Sequence, residues 1–170
     1  MKNLCLPALL LSVFSAMAAP MEPGEALPRV TVPNQEGEPV VFPEAGAEGY
    51  TLIYFYPKAD TPGCTKQACS LRDAYTALQE AGVTVFGVSY DSPEAQKAFA
   101  AKYQLPFTLL ADEKGELAEA LGVPAREKKG NFFAARQAFL FQDAQLIWLD
   151  RKASTEQQAA DVLAVLAEED

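Results

Sequence analysis

A chain of 170 residues with 49% apolar side chains is long enough for one domain with a sizeable core, which excludes a disordered polypeptide. A net charge of −9 leaves no basic stripe for a phosphate backbone and argues against nucleic acid as a partner. The absence of His removes Ser-His-Asp and Cys-His nucleophile pairs, His-ligated metals and His-ligated haem, so acid–base work falls to Cys, carboxylates, Lys, Arg, Tyr or backbone.

The chain opens with Lys2, an apolar run from Leu4 to Phe14, and Ser15-Ala16-Met17-Ala18-Ala19-Pro20. A charged start, a short apolar stretch and an Ala-x-Ala site make residues 1–18 a signal peptide, cleaved after Ala18. The run falls short of the roughly 20 residues a membrane span needs, so an uncleaved anchor is the weaker alternative. Cleavage would remove Lys2 and Cys5 and leave Cys64 and Cys69 as the two cysteines of an exported, periplasmic or secreted protein, a setting that permits a disulfide.

Residues 20–28 read as an extended lead-in. Val30-Thr31-Val32 and Val40-Val41-Phe42 flank a turn at residues 34–37 and predict a hairpin. Residues 51–56 (TLIYFY) are continuously apolar, as in a strand covered on both faces. A helix is expected next, with Thr61 as N-cap and Pro62 at its first position. Ala68, Leu71, Tyr75 and Leu78 follow at helical spacing, and Gly82 ends it. Residues 83–90 (VTVFGVSY) form a second buried strand, and Ser92-Pro93 opens a helix carrying Phe99 and Tyr103. Residues 107–110 read as a short strand and 116–121 as a short helix closed by Gly122. Residues 123–135 read as a long loop. Residues 137–141 and 145–149 alternate around Asp143-Ala144 as an antiparallel hairpin, and Ser154-x-x-Gln157 is a capping box for a last helix. Strands alternating with helices imply an α/β sandwich with a hairpin closing one edge.

Chemistry concentrates in residues 54–73, YFYPKADTPGCTKQACSLRD. Cys64 falls in the first turn of a helix, where free N–H groups and the positive end of the helix dipole favour a thiolate. Thiolate character with partial exposure suits a peroxide-reactive cysteine. Cys69 lies five residues on; an intact helix puts the two Cα atoms about 8–9 Å apart, beyond the ~7 Å a disulfide tolerates. The pair bridges only if the helix start unwinds. Two readings stay open: a redox cycle between a folded dithiol and an unwound disulfide, or a fixed bond in an irregular segment of a non-catalytic domain.

The run Pro57-x-x-x-Thr61-x-x-Cys64 resembles the active-site signature of peroxiredoxins. The fuller string with Cys69, Arg72 and Asp73 is similar to the bacterioferritin-comigratory, or peroxiredoxin Q, subfamily. The resemblance continues in residues 109–112, in 121–123 and in Arg136-x-x-Phe139-Leu140. It implies a thioredoxin-like fold over residues 19–170: a central mixed sheet flanked by helices, with an N-terminal β-hairpin. It implies a thiol-dependent peroxidase needing no metal, haem or flavin. Cys64 would be the peroxidatic nucleophile and Cys69 the resolving thiol, forming an intramolecular disulfide recycled by a thioredoxin-like dithiol protein. Thr61 would orient the peroxide, Pro57 shield the thiolate, and Arg136 complete the site, with Gly63 and Cys64 lending backbone N–H groups. A monomer without stable membrane association is the expected form. Gln67 and Arg72 match the subfamily string; Arg72 reads as a support residue or a solvated charge. Lys58 and Asp60 read as solvated, Tyr54 and Phe55 as core, and Tyr56 as core or pocket rim. Two rivals remain: a thiol–disulfide oxidoreductase of thioredoxin type, which wants a C-x-x-C that is absent, and a domain stapled by Cys64–Cys69. One departure is the usual Asp-x-x-Gly turn, replaced here by Phe141-Gln142-Asp143-Ala144-Gln145.

Overall fold

The computed structural model of the chain describes residues 19–169; the expected signal peptide, residues 1–18, lies outside the described residues. A five-stranded mixed sheet forms the centre. Its strands are β3 (Tyr50–Phe55), β4 (Val83–Ser89), β5 (Thr108–Ala111), β8 (Gln137–Gln142) and β9 (Gln145–Asp150), in the order β5-β4-β3-β8-β9. The strands β3, β4 and β5 run parallel, and β8 and β9 close the other edge antiparallel. The continuous apolar run at residues 51–56 becomes the middle strand, β3, and is buried from Thr51 onward because both faces are covered.

On one face Leu52, Tyr54 and Leu140 pack with the helices α1 (Pro62–Asp73), α2 (Tyr75–Glu80), α3 (Pro93–Tyr103) and α5 (Gln158–Glu169). On the other, Ile53, Phe55, Phe86 and Phe139 pack against α4 (Glu116–Ala120) and the hairpin of β1 (Val30–Pro33) and β2 (Pro39–Phe42). The alternation of strand side chains between the two layers is the period-2 geometry of an extended chain. The expected thioredoxin-like arrangement with an N-terminal hairpin is present.

Two expectations change. The helix predicted from Thr61 to Gly82 is two helices. Ala74 leaves helical geometry at φ −94°, ψ 3°, and α2 turns so that the Tyr75 ring meets Phe107 while Leu78 is buried. No Pro or Gly marks this break, so packing and not local propensity makes it. The segment 123–135 is not all loop. Strands β6 (Ala125–Lys128) and β7 (Asn131–Ala134) pair around Lys129 and Gly130, both at positive φ, as a tight two-residue hairpin turn requires. All of β6 is exposed, so no apolar alternation announced it. The Asp143–Ala144 turn also takes positive φ at both residues without glycine. It is held by mutual bonds with Gly49, whose N–H donates to Asp143 Oδ1 and whose carbonyl accepts from Asp143 N–H, both at 2.9 Å.

Gly87 in β4 lets the layers approach. A Cβ there would stand 2.7 Å from the Tyr54 ring and 2.8 Å from Leu109 Cδ2, closer than real contacts. Gly87→Ala is therefore expected to destabilise the fold by about 1–3 kcal/mol through overpacking. Urea denaturation reads this directly; an unchanged midpoint would show that Tyr54 can shift at no cost.

Candidate active site

The site forms beyond the carboxyl end of β3, where parallel strands of an open α/β sheet commonly present ligand sites. The chain leaves β3 through Tyr56-Pro57, turns at Asp60 with φ 56°, and enters α1 at Pro62. Pro62 has no N–H and its φ suits a first helical position. The first helical bond runs from Thr65 N–H to Thr61 O at 2.8 Å, so Gly63 and Cys64 carry the free amide N–H groups of the helix start. Cys64, Ala68 and Leu71 share the buried stripe of α1, at i, i+4 and i+7. Cys69 lies about 140° around the helix from Cys64 and is half-buried.

Cys64 is only 2% exposed. Arg136, the residue before β8, reaches it from across the sheet, with Nη2 3.4 Å from Cys64 Sγ. The nearest cation thus touches the sulfur, at the positive end of the helix. The same guanidinium donates through Nη1 to Gln67 Oε1. Gln67 is fully buried, and its Nε2 donates to Gln158 Oε1 at 2.5 Å. Gly63 lies beside the arginine: a Cβ there would sit 3.4 Å from Arg136 Nη2, in van der Waals contact. Arg136 also borders a cavity of about 320 Å³ shared with Pro57, Pro124, Ala125, Phe133 and Ala134. Pro57 is half-buried at its edge.

Cys64, Thr61, Pro57, Gly63 and Arg136 therefore gather in one place, and Gln67 joins them. Thr61 occupies the N-cap position with extended backbone, but its hydroxyl makes no capping bond. It donates instead to Lys58 O at 2.9 Å, across the Asp60 turn. The Cys64 N–H therefore receives no bond from Thr61. With its proton committed, Thr61 Oγ1 is left with lone pairs to accept a hydrogen bond.

Around these residues, Tyr56 takes the core place of its two expected ones, and its hydroxyl donates to Gln96 Oε1. Burial pushes the Tyr54 and Tyr56 phenols well above their usual range. Asp60 is not simply solvated: it accepts from Lys102 Nζ and from Tyr103 OH at 2.7 Å. These contacts hold its carboxyl below the usual range. Lys58 lies 3.7 Å from Asp91 and 5.9 Å from the Phe133 ring centre. Arg72 is a support residue that donates to Tyr103 O at 2.9 Å and pairs with Asp73, tying α1 to the end of α3.

Cys69 opens on a shallow depression lined by Lys66, Ser70, Asp73, Ala74 and Glu156. Both cysteines are free thiols on an unbroken α1, so the fixed cross-link in an irregular segment is not formed. Among the described residues no cluster of three or more His, Cys, Asp or Glu could hold a metal, and no helix is long and apolar enough to cross a membrane. Sequence reasoning missed Gln158, whose capping-box neighbours drew attention away from it. Ser154 Oγ does accept from Gln157 N–H at 3.0 Å, but α5 begins only at Gln158.

A model of the AhpC/TSA family matches residues 23–148. A chloroplastic peroxiredoxin Q of Populus jackii is 44% identical over 114 residues, covering 67% of this chain and 53% of that protein. Peroxiredoxin Bcp of Escherichia coli strain K12 is 47% identical over 104 residues, covering 61% of this chain and 66% of that protein. The matched region thus spans about half the length of the plant relative. The crystal structure of peroxidoxin BcpB from Mycobacterium tuberculosis superposes with a TM-score of 0.80 at 30% identity, over 87% of this chain and 97% of that one. The bacterioferritin comigratory protein of Xanthomonas campestris gives 0.74 at 28% identity, over 82% and 91%. The chain belongs to the AhpC/TSA family, within its bacterioferritin-comigratory, or peroxiredoxin Q, group.

Proposed function

We propose that this chain is a thiol peroxidase that reduces hydrogen peroxide and organic hydroperoxides. The observation that carries the reading is the buried Cys64 sulfur at the start of α1 with Arg136 Nη2 at 3.4 Å. The Xanthomonas campestris relative is described by its alkyl peroxide reduction activity, which supports the substrate class.

The Cys64 thiolate attacks one peroxide oxygen in line with the O–O bond. The S–O bond forms as the O–O bond breaks; the leaving oxygen carries off the electron pair, takes a proton and departs as water or an alcohol. Cys64 is left as sulfenic acid. Thr61 Oγ1 accepts a hydrogen bond from the peroxide O–H. The N–H groups of Gly63 and Cys64 and the Arg136 guanidinium hold the oxygens and stabilise charge on the leaving one. Pro57 keeps bulk water from the sulfur. The start of α1 then unwinds, Cys69 sulfur attacks the sulfenic sulfur, and water leaves as the Cys64–Cys69 disulfide forms. An external thioredoxin-like dithiol reopens it by exchange, becoming a disulfide itself. These steps use no metal, haem or flavin. The enzyme acts as a monomer, and Lys2, the apolar run and Ala16-x-Ala18 support export with cleavage after Ala18. An exported enzyme needs a reductant in its own compartment.

Cys69→Ser separates the steps. One equivalent of peroxide is expected to be consumed in a single burst, adding one oxygen to Cys64 with no further turnover under dithiol protein. Mass spectrometry of the secreted protein reads this oxygen and an amino terminus at residue 19 together. Loss of the burst would reverse the roles of the two sulfurs. Efficient disulfide transfer to a reduced protein without peroxide consumption would favour a thioredoxin-type oxidoreductase.

A further inference from the structure

Gln158 is the first residue of α5, and it meets the proposed site only through another side chain. It is 1% exposed, and its Oε1 accepts from Gln67 Nε2 at 2.5 Å. Gln67 is fully buried and turns its own Oε1 to Arg136 Nη1, while Arg136 Nη2 rests 3.4 Å from Cys64 Sγ. An amide has one accepting and one donating end. If Gln67 were reversed, its NH₂ would face a guanidinium that has only donors, and its oxygen would face Gln158 Oε1, an acceptor. Arg136 and the Gln158 oxygen together therefore fix which way the Gln67 amide faces. Gln158 Nε2 is itself buried with no partner among the described residues, so the side chain is not placed there to satisfy its own amide.

The same stretch holds the cysteine helix in two further places. Ser70 Oγ donates to Glu156 O at 2.9 Å, and Lys66 pairs with Glu156. These contacts are exposed and can be changed without touching the buried relay.

We propose that Gln158 is a positioning residue for the peroxide reaction: by orienting Gln67 it aims the Arg136 guanidinium at the Cys64 sulfur. This rests on the peroxidase reading above. Loss of the acceptor lets Gln67 rotate, and Arg136 then loses its fixed fork and its distance from sulfur. A misplacement on the order of 1 Å in such a group can cost a reaction up to about 100-fold.

The test uses the full mature chain and hydrogen peroxide as probe. Gln158→Met and Gln158→Leu each remove the acceptor at similar volume, and either one folded suffices. The second-order rate of Cys64 oxidation, followed by stopped flow, is expected to fall roughly 10- to 100-fold. Its pH–rate profile should move to higher pH, because the cation beside the sulfur is less well placed. Gln158→His restores an accepting nitrogen and should recover most of the lost rate. Glu156→Ala, which removes only the exposed pair with Lys66, should leave rate and profile unchanged. If the acceptor-free variants melt earlier yet oxidise at the original rate with the original profile, Gln158 merely docks α5 and the proposal fails. If the unsubstituted chain does not react with peroxide at all, the peroxidase reading falls instead.

Discussion

Cys64→Ser is expected to abolish peroxide turnover while leaving the fold in place. The reason is chemical, because the substitution changes one atom. A serine hydroxyl does not ionise near neutrality, even beside a guanidinium, and a neutral oxygen is a poor attacker of an O–O bond. The structural cost is small. The site is buried, 2% exposed at residue 64, and a hydroxyl still accepts from Arg136. Ala68 and Leu71 continue to anchor α1 in the core. The check is peroxide consumption with a dithiol donor, alongside circular dichroism and a thermal melt. Retained turnover in a folded variant would move the nucleophile to Cys69 and undo the reading of the site.

Arg136→Met should come next in effect, slowing Cys64 oxidation by roughly 100- to 1000-fold, the usual loss when one fixed donor to a developing anion is removed. Methionine fills the space beside Gly63 but offers no positive charge and no N–H. Two consequences follow from the contacts. The pH–rate profile should move to higher pH, because the nearest cation to the sulfur is gone. Gln67 Oε1 loses its donor in a buried setting, at a cost of about 1–3 kcal/mol in stability. Arg136→Lys should recover only part of the rate, since an ammonium lacks the rigid fork whose two nitrogens reach Gln67 Oε1 and Cys64 Sγ separately. Stopped-flow oxidation across pH separates these outcomes. An unchanged rate in Arg136→Met would mean that the helix start alone activates the sulfur.

Much of this site was readable before the fold was known, because its parts are local. Thr61, Pro62, Gly63 and Cys64 are adjacent, and their place at a helix start follows from capping rules that act within one turn. The five-residue spacing to Cys69 carries its own argument about unwinding. The capping bond expected of Thr61 is absent because the reach of its hydroxyl depends on the Asp60 turn, a backbone state its neighbours do not announce. The hairpin of β6 and β7 was hidden because exposed strands carry no apolar rhythm.

The alternation of strands and helices, the buried middle strand, and a cysteine at the positive end of a helix are all legible in the order of residues. Each rests on contacts between near neighbours and on the burial pattern that periodicity records. What faces that cysteine is set by the packing of the whole fold. Arg136 lies 72 residues from Cys64 and Gln158 lies 91 from Gln67. The break at Ala74 likewise answers to Phe107 beyond the next strand. A long-range polar contact has no period and no preferred spacing. It exists because a sheet and two helices, each specified locally, pack in one way and bring distant side chains within hydrogen-bond reach.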